Sequence, residues 1–267
     1  MTQSRTIIPK VIYQSWKTSP STLPPRLAQA QKSVQTLNPS YRYEFYDDQR
    51  CRLFLEDHFG LDYVDAFDSL VPGAFKCDLW RYAVLYVHGG VYIDLDLCEL
   101  IPLDQVISPS DELVSATDRR IFPLIPRCAI YQAFLACKPR HPVMKIALEI
   151  AFENIKNRKM ASKDSAFDIT GPVVMGRALN RWWDRMELSE IKPGVSRGVK
   201  LFEFEPLGKW IVFWDLKVFE QVESESDKGA NYYTRVGTYH PRVKEKNFPW
   251  IIFLPLVLVL VLGLTKT

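Results

Sequence analysis

The chain has 267 residues, 47% hydrophobic and 24% charged, with a formal net charge of +3. That composition belongs to a folded chain that buries one substantial core, which excludes a disordered protein. The small positive balance, with no run of Lys and Arg interleaved with aromatics, also excludes the footprint of a nucleic-acid-binding protein.

Five cysteines, Cys51, Cys77, Cys98, Cys128 and Cys137, form no C-x-x-C pair and no zinc-spaced set with histidines. They read as buried free thiols. Residues 1–10 hold no apolar stretch long enough for a signal peptide.

In chain order, β-branched and aromatic residues from Thr6 to Trp16 predict a short buried strand. Leu27 to Leu37 has helical spacing, and Asn38-Pro39-Ser40 marks a turn. Tyr41 to Tyr46 alternates as a second strand, and Cys51 to Phe67 reads as one helix. Pro72-Gly73 opens a further helix, with Phe75, Leu79, Tyr82, Ala83 and Tyr86 at steps of three or four; Gly89-Gly90 closes it. Val91 to Leu97 follows as a strand of period two.

Glu112 to Ala116 and Ala133 to Leu135 predict strands, and Pro142 to Asn157 a helix. Another helix runs from Gly171-Pro172 through Trp183, and Gly194 to Tyr239 mixes short strands and turns. This order predicts an α/β domain with a mixed sheet flanked by helices over residues 1–245.

The end of the chain differs. From Phe248 to Leu264 there is no charge, and Leu256 to Leu262 is an unbroken aliphatic run. As a helix it would span ~25 Å, close to the hydrocarbon core of about 30 Å. One C-terminal transmembrane helix over residues 248–264 is expected. Arg242, Lys244 and Lys246 precede it and only Lys266 follows, so the positive-inside tendency would leave the large domain on the cytoplasmic side.

Chemistry concentrates in Asp94 and Asp96. On a strand the two would share one face, with Ile93, Leu95 and Leu97 pointing to the core. Two carboxylates at that spacing can share a hard divalent cation such as Mn2+ or Mg2+, whose remaining ligands would be diphosphate oxygens. On the preceding helix Asp78 and Arg81 stand three apart. Helix geometry alone makes them an exposed ion pair, while a functional reading makes them an acceptor and a donor for sugar hydroxyls.

Lys76-Cys77-Asp78-Leu79-Trp80-Arg81-Tyr82, followed by Gly89-Gly90-Val91-Tyr92-Ile93-Asp94-Leu95-Asp96, resembles the DXD-containing sugar-binding region of glycosyltransferase family 32. Ile8 to Lys17, Asn38-Pro39 with Tyr46-Asp47-Asp48, Lys138 to Pro142 and Thr170-Gly171-Pro172 resemble other blocks of that family. The resemblance implies a GT-A-type (Rossmann-like) fold and retaining transfer of a hexose from a nucleotide sugar whose diphosphate sits on Mn2+. By position Asp96 and Asp94 would hold the metal, Asp78 and Arg81 would grip the donor sugar with Tyr92 nearby, and Trp16 would stack on the nucleotide base. The family's closing His-Gly-Ser-Trp is reduced here to His240, a further candidate metal ligand.

The first expectation is GDP-mannose as donor and a membrane-associated acceptor such as an inositol phosphorylceramide sphingolipid. A UDP-sugar donor with a glycan acceptor comes next. Most eukaryotic relatives face the Golgi lumen, so an endomembrane location is expected and its side is left open against the charge argument. A non-catalytic, membrane-tethered sugar-binding protein is the alternative from another class. A haloacid-dehalogenase-type phosphatase fits poorly, because Cys98 stands where that chemistry expects Thr or Val.

Overall fold

The computed structural model describes residues 7–71, 73–118, 128–157, 166–207, 210–213 and 216–221. His240 and the anchor predicted over 248–264 lie outside them. Among the described residues no helix is long and apolar enough to cross a membrane.

The first strand, β1 (Val11–Ser15), is followed by α1 (Pro25–Leu37), β2 (Arg42–Tyr46), α2 (Asp48–Phe59), α3 (Leu61–Ser69) and α4 (Gly73–His88). Next come β3 (Gly90–Ile93), β4 (Leu97–Glu99), β5 (Leu113–Thr117), β6 (Phe134–Cys137), α5 (Pro142–Lys156), α6 (Ala166–Ile169) and α7 (Pro172–Trp182). The strands β7 (Gly194–Ser196), β8 (Val199–Leu207), β9 (Trp210–Phe213) and β10 (Leu216–Gln221) complete the described fold.

These strands form one mixed sheet in the order β2-β1-β3-β6-β5-β8-β9-β10-β4, with β7 on β8. The pairs β1–β2, β1–β3 and β5–β8 are parallel, whereas β6 runs antiparallel to both β3 and β5. Side chains alternate across it, as the pleat requires. Tyr92, Leu135 and Cys137 enter a core with α2, α3, α4, α5 and α7, while Val91, Ile93, Phe134 and Ala136 enter a second core with Val34 of α1 and the segment around Leu103. This is the helix-flanked mixed sheet expected from the element order.

Two expectations are corrected. The single helix expected from Cys51 to Phe67 is two, because Gly60 takes φ 82° and turns the chain between α2 and α3. The side chains that this stretch buries are Cys51, Phe54, Leu55, Val64 and Phe67, while Leu53 and Leu61 are exposed.

The strand expected from Val91 to Leu97 stops at Ile93. Asp94, Leu95 and Asp96 form a turn, closed by the Leu97 amide donating to the Asp94 carbonyl at 3.2 Å, before β4 begins. Aspartates favour such turns because the carboxylate competes with the ladder for backbone partners. Strand alternation therefore does not orient the two acids. Leu95 leaves the cores that hold Ile93 and Leu97 and packs with Leu27, Phe45 and Trp16.

Gly89 and Gly90 fix where β3 starts. A Cβ on Gly89 would lie 2.5 Å from the Pro139 nitrogen, and one on Gly90 would lie 2.7 Å from the Val11 carbonyl. Both also hold positive φ. Only glycine permits α4 to pass directly into a strand wedged between β1 and β6.

Candidate active site around Asp94

Helix α4 is buried on most of its circumference, with Asp78, Leu79, Trp80, Arg81, Tyr82, Ala83, Val84 and Leu85 all out of solvent. Asp78 is 5% exposed and Arg81 4%. The exposed ion pair that helix geometry alone suggested is thus excluded. A buried pair needs hydrogen-bond partners, and packing supplies them to both terminal guanidinium nitrogens, while Arg81 Nε is buried with none among the described residues.

Arg81 Nη2 lies 3.3 Å from Asp78 Oδ1 and 3.1 Å from Asp94 Oδ1. It also donates to the Tyr92 hydroxyl at 3.3 Å, while Nη1 donates to the Gln132 carbonyl at 2.9 Å. The guanidinium carbon stands 4.4 Å from the Tyr92 ring centroid, a cation–π contact. Burial works to lower the Arg81 pKa, but Tyr92, Asp94, Cys77 and Asp78 around it reverse that and hold the guanidinium charged.

Asp94 is gripped from several elements. The Tyr92 hydroxyl donates to Oδ1 at 2.5 Å, Gln14 of β1 donates to the Asp94 carbonyl at 3.3 Å, and the Asp94 amide donates to the Ala133 carbonyl at 2.8 Å. Behind Tyr92, its hydroxyl meets Cys77 Sγ at 2.8 Å, and that thiol meets Ser15 Oγ at 3.0 Å. Tyr92 is almost wholly buried. The structure therefore places it beneath Asp94, as a support for the carboxylate.

Asp78 is held from the opposite side by Thr170, whose hydroxyl donates to Oδ2 at 2.8 Å. Burial pushes the Asp78 carboxyl up to about 7, against the pull of Arg81 and Thr170, and the Asp94 charge adds to the rise. Tyr82 and Gln132 close this end, the Tyr82 hydroxyl donating to the Thr170 carbonyl at 2.8 Å and Gln132 Nε2 to the Tyr82 oxygen.

Asp96 is half-buried, two residues along the same turn. Tyr131 lies within electrostatic reach of both acids. Burial, then the charges of Asp94, Asp96 and Asp118, in that order, raise the Tyr131 phenol well above its ordinary pKa. Asp118 follows the last residue of β5, and its amide donates to the Ala129 carbonyl at 2.9 Å. Trp16 stands at the end of β1, half-buried against Leu95, the residue between the two aspartates.

The structure thus brings Asp78, Arg81, Tyr92 and Asp94 into direct contact, with Asp96 beside them and Trp16 behind the turn. Gln14, Cys77, Thr170, Gln132, Asp118 and Tyr131 are residues that sequence reasoning assigned no role. Gln14, Cys77 and Thr170 lie inside motif blocks and could have been found there; Gln132, Asp118 and Tyr131 carry no such signal.

For a divalent cation, no group of three or more His, Cys, Asp or Glu side chains converges among the described residues. A hard divalent ion can also be held by one or two carboxylates, with substrate phosphate and water completing its shell. Asp94 and Asp96, hard oxygen donors on an exposed-edged turn, fit such a site.

Residues 24–113 match the family model described as the glycosyltransferase sugar-binding region containing DXD motif. That stretch of the chain is similar to a DXD-containing sugar-binding region. The match contains α4, β3 and the Asp94–Asp96 turn, so the contacts around Arg81 lie within it except those from Gln132.

The chain is 34% identical over 91 residues to an uncharacterized glycosyltransferase of Acanthamoeba polyphaga mimivirus, covering 34% of this chain and 36% of the relative. It is 42% identical over 92 residues to inositol phosphoceramide mannosyltransferase 2 of Schizosaccharomyces pombe, covering 34% and 25% respectively. The aligned segment therefore spans only about a quarter to a third of these relatives' length. Among solved structures, the PaToxG glycosyltransferase superposes with a TM-score of 0.51 at 16% identity, covering 66% of this chain and 69% of the other. That likeness bears on the fold alone, and it agrees with the GT-A-type expectation.

Proposed function

We propose that this chain is a glycosyltransferase that moves a hexose from a nucleoside diphosphate sugar to an acceptor, with retention at the anomeric carbon. The observation that carries the reading is the DXD turn locked to the Asp78–Arg81 pair of α4. A cation and a donor sugar would meet the chain in one place there.

In this reading Asp94 and Asp96 would hold Mn2+ or Mg2+, which when bound supplies Lewis-acid stabilisation to the departing diphosphate. The chain's own part is to keep Asp94 aimed. Arg81 and the Tyr92 hydroxyl fix one Asp94 oxygen, and Gln14 fixes the Asp94 backbone. Preorganisation of this kind avoids rearrangement when charge develops. Asp78 and Arg81 are the groups proposed to meet the donor sugar, and Trp16 the base.

The donor proposed first is GDP-mannose and the acceptor an inositol phosphorylceramide-type sphingolipid in an endomembrane, because the S. pombe relative is an inositol phosphoceramide mannosyltransferase. UDP-galactose, UDP-glucose or UDP-N-acetylglucosamine with a glycan acceptor is the second reading. An anchor at residues 248–264 would keep the enzyme beside a lipid acceptor.

The test is a panel of GDP- and UDP-sugars, with and without Mn2+, read by thermal protection and by slow hydrolysis of the sugar nucleotide. A true donor stabilises the fold by mass action. One member should protect in a Mn2+-dependent way, and Asp96→Ala should abolish its hydrolysis. Protection by a sugar nucleotide with no hydrolysis and no transfer would favour a sugar-binding protein without catalysis; no protection by any member would sink the proposal.

A further inference from the structure

At the far end of α7 the chain folds into a surface depression of about 600 Å³ lined by Trp183, Arg185, Glu190, Lys192, Ser196 and Arg197. Three of these side chains are cationic and one is acidic. The nearby Glu187 is engaged by Arg177 and Arg181, so it does not neutralise the depression; Asp184 is the other acid of the loop.

The loop forming one wall is held firmly. Asn180, fully buried on α7, donates Nδ2 to the Glu187 carbonyl at 3.0 Å and to the Ser189 carbonyl at 2.9 Å. The Arg185 amide returns a bond to the Asn180 carbonyl at 2.9 Å, and the Arg185 guanidinium donates to the Glu190 carbonyl at 2.6 Å. A loop so pinned projects Met186, which is 83% exposed. Leu188 is 39% exposed and Val195 on β7 is 65% exposed. These three are half of the six large apolar side chains that the described residues expose.

Single exposed apolar residues need no explanation, but three within ten residues, on the same 183–197 segment that lines the depression with three cations and one acid, describe an amphipathic surface. We propose that this surface docks on an anionic lipid bilayer. Arg185, Lys192 and Arg197 take phosphorylated headgroups, and Met186, Leu188 and Val195 enter the headgroup–acyl boundary. The cations select the occupant, since the field of an anionic leaflet attracts basic side chains within a Debye length. The inference does not depend on the transferase reading. The eleven residues of α7 put the depression ~16 Å along the helix axis from the Thr170–Asp78 contact.

The experiment is co-sedimentation of the full chain with vesicles of phosphatidylcholine alone and of phosphatidylcholine with phosphatidylserine, at fixed ionic strength. The apolar run of residues 256–262 would bind either vesicle alike, so the readout is the excess on anionic vesicles. Wild type should show such an excess, and Lys192→Glu/Arg197→Glu should reduce it by roughly tenfold or more. Because Arg185 also ties the loop, it is left intact in that variant. Met186→Ser/Val195→Ser, which touches no charge, should weaken binding to both vesicle types. An anionic excess unchanged in the double Glu variant, or absent from wild type, overturns the proposal. Loss of the anionic excess in inorganic phosphate at matched ionic strength would reassign the depression to a soluble anion and overturn the lipid source.

Discussion

Arg81 Nη2 stands 3.1 Å from the Asp94 carboxylate and 3.3 Å from that of Asp78, so one guanidinium nitrogen on α4 joins an acid of its own helix to an acid of the DXD turn. Removing a single partner from a buried ionic cluster leaves the others uncompensated. Arg81→Met is therefore expected to lower the unfolding free energy by roughly 3–5 kcal/mol in urea titration. Arg81→Lys keeps the charge but loses the planar fork that reaches Gln132 and Asp94 together, so it should fold better than the Met variant and still lose donor binding. A Met variant as stable as wild type would remove Arg81 from the framework of the site.

Tyr92 supports the same carboxylate from below. Tyr92→Phe keeps the ring under Arg81 but deletes the hydroxyl shared by Cys77, Arg81 and Asp94. Loss of an outer-shell partner commonly costs ~10–100-fold in metal affinity or activity, and that is the expected drop in Mn2+ affinity measured by titration calorimetry. Unchanged affinity would mean that Arg81 alone orients Asp94.

Stability should fall as pH rises through the neutral range. Burial raises Asp78 from 3.8 to about 7, and burial raises Glu99 from 4.5 to about 8 against the pull of its Asn38 hydrogen bond. Both groups bind protons more tightly folded than unfolded. Each therefore adds stability that is complete below its unfolded pKa and is lost as pH climbs to its folded one, at up to ~1.4 kcal/mol per pH unit. Glu99 is 2% exposed, and its Oε1 is buried with no hydrogen-bond partner among the described residues. Glu99→Gln should flatten the decline between about pH 5 and pH 8 in urea titrations run at several pH values. A wild-type curve that rises over that interval would refute the assignment.

Gly176 sets how closely α7 approaches the backbone of Cys128 and Ala129. A Cβ there would fall 1.7 Å from the Cys128 carbonyl oxygen, so the helix or the segment must move. Gly176→Ala is expected to cost at least ~1–3 kcal/mol despite alanine's better helix propensity. Differential scanning calorimetry should show a lower Tm; a higher one would mean that the contact yields freely.

The helix that carries the site was legible from the sequence because local signals agree along it. Pro72-Gly73 opens α4, Gly89-Gly90 stops it, and the observed bounds are Gly73 and His88. The DXD acids and the D-x-x-R pair were found by their spacing, but their surroundings were not. Sequence spacing suggested an exposed ion pair and an extended strand, whereas long-range packing by Thr170, Gln132 and Gln14 buries the pair and closes the turn. Such partners arrive from up to 92 residues away, as Thr170 does for Asp78, and no local periodicity encodes them. The break at Gly60 was missed for a different reason. Apolar residues recur at helical steps on both sides of it, and a single glycine is a weak interruption in such a pattern.

The tight seat of Gly89 and Gly90 has a consequence for how this molecule can vary. The sheet there leaves no room even for a methyl group, so the distance from α4 to the acids is defined by side chains that do not exist. Alanine at either position would wedge β3 away from β1 or from Pro139 and carry Asp94 off its perch on Gln14 and Tyr92. Reactivity would then be forfeited by a change that touches neither charge nor ligand.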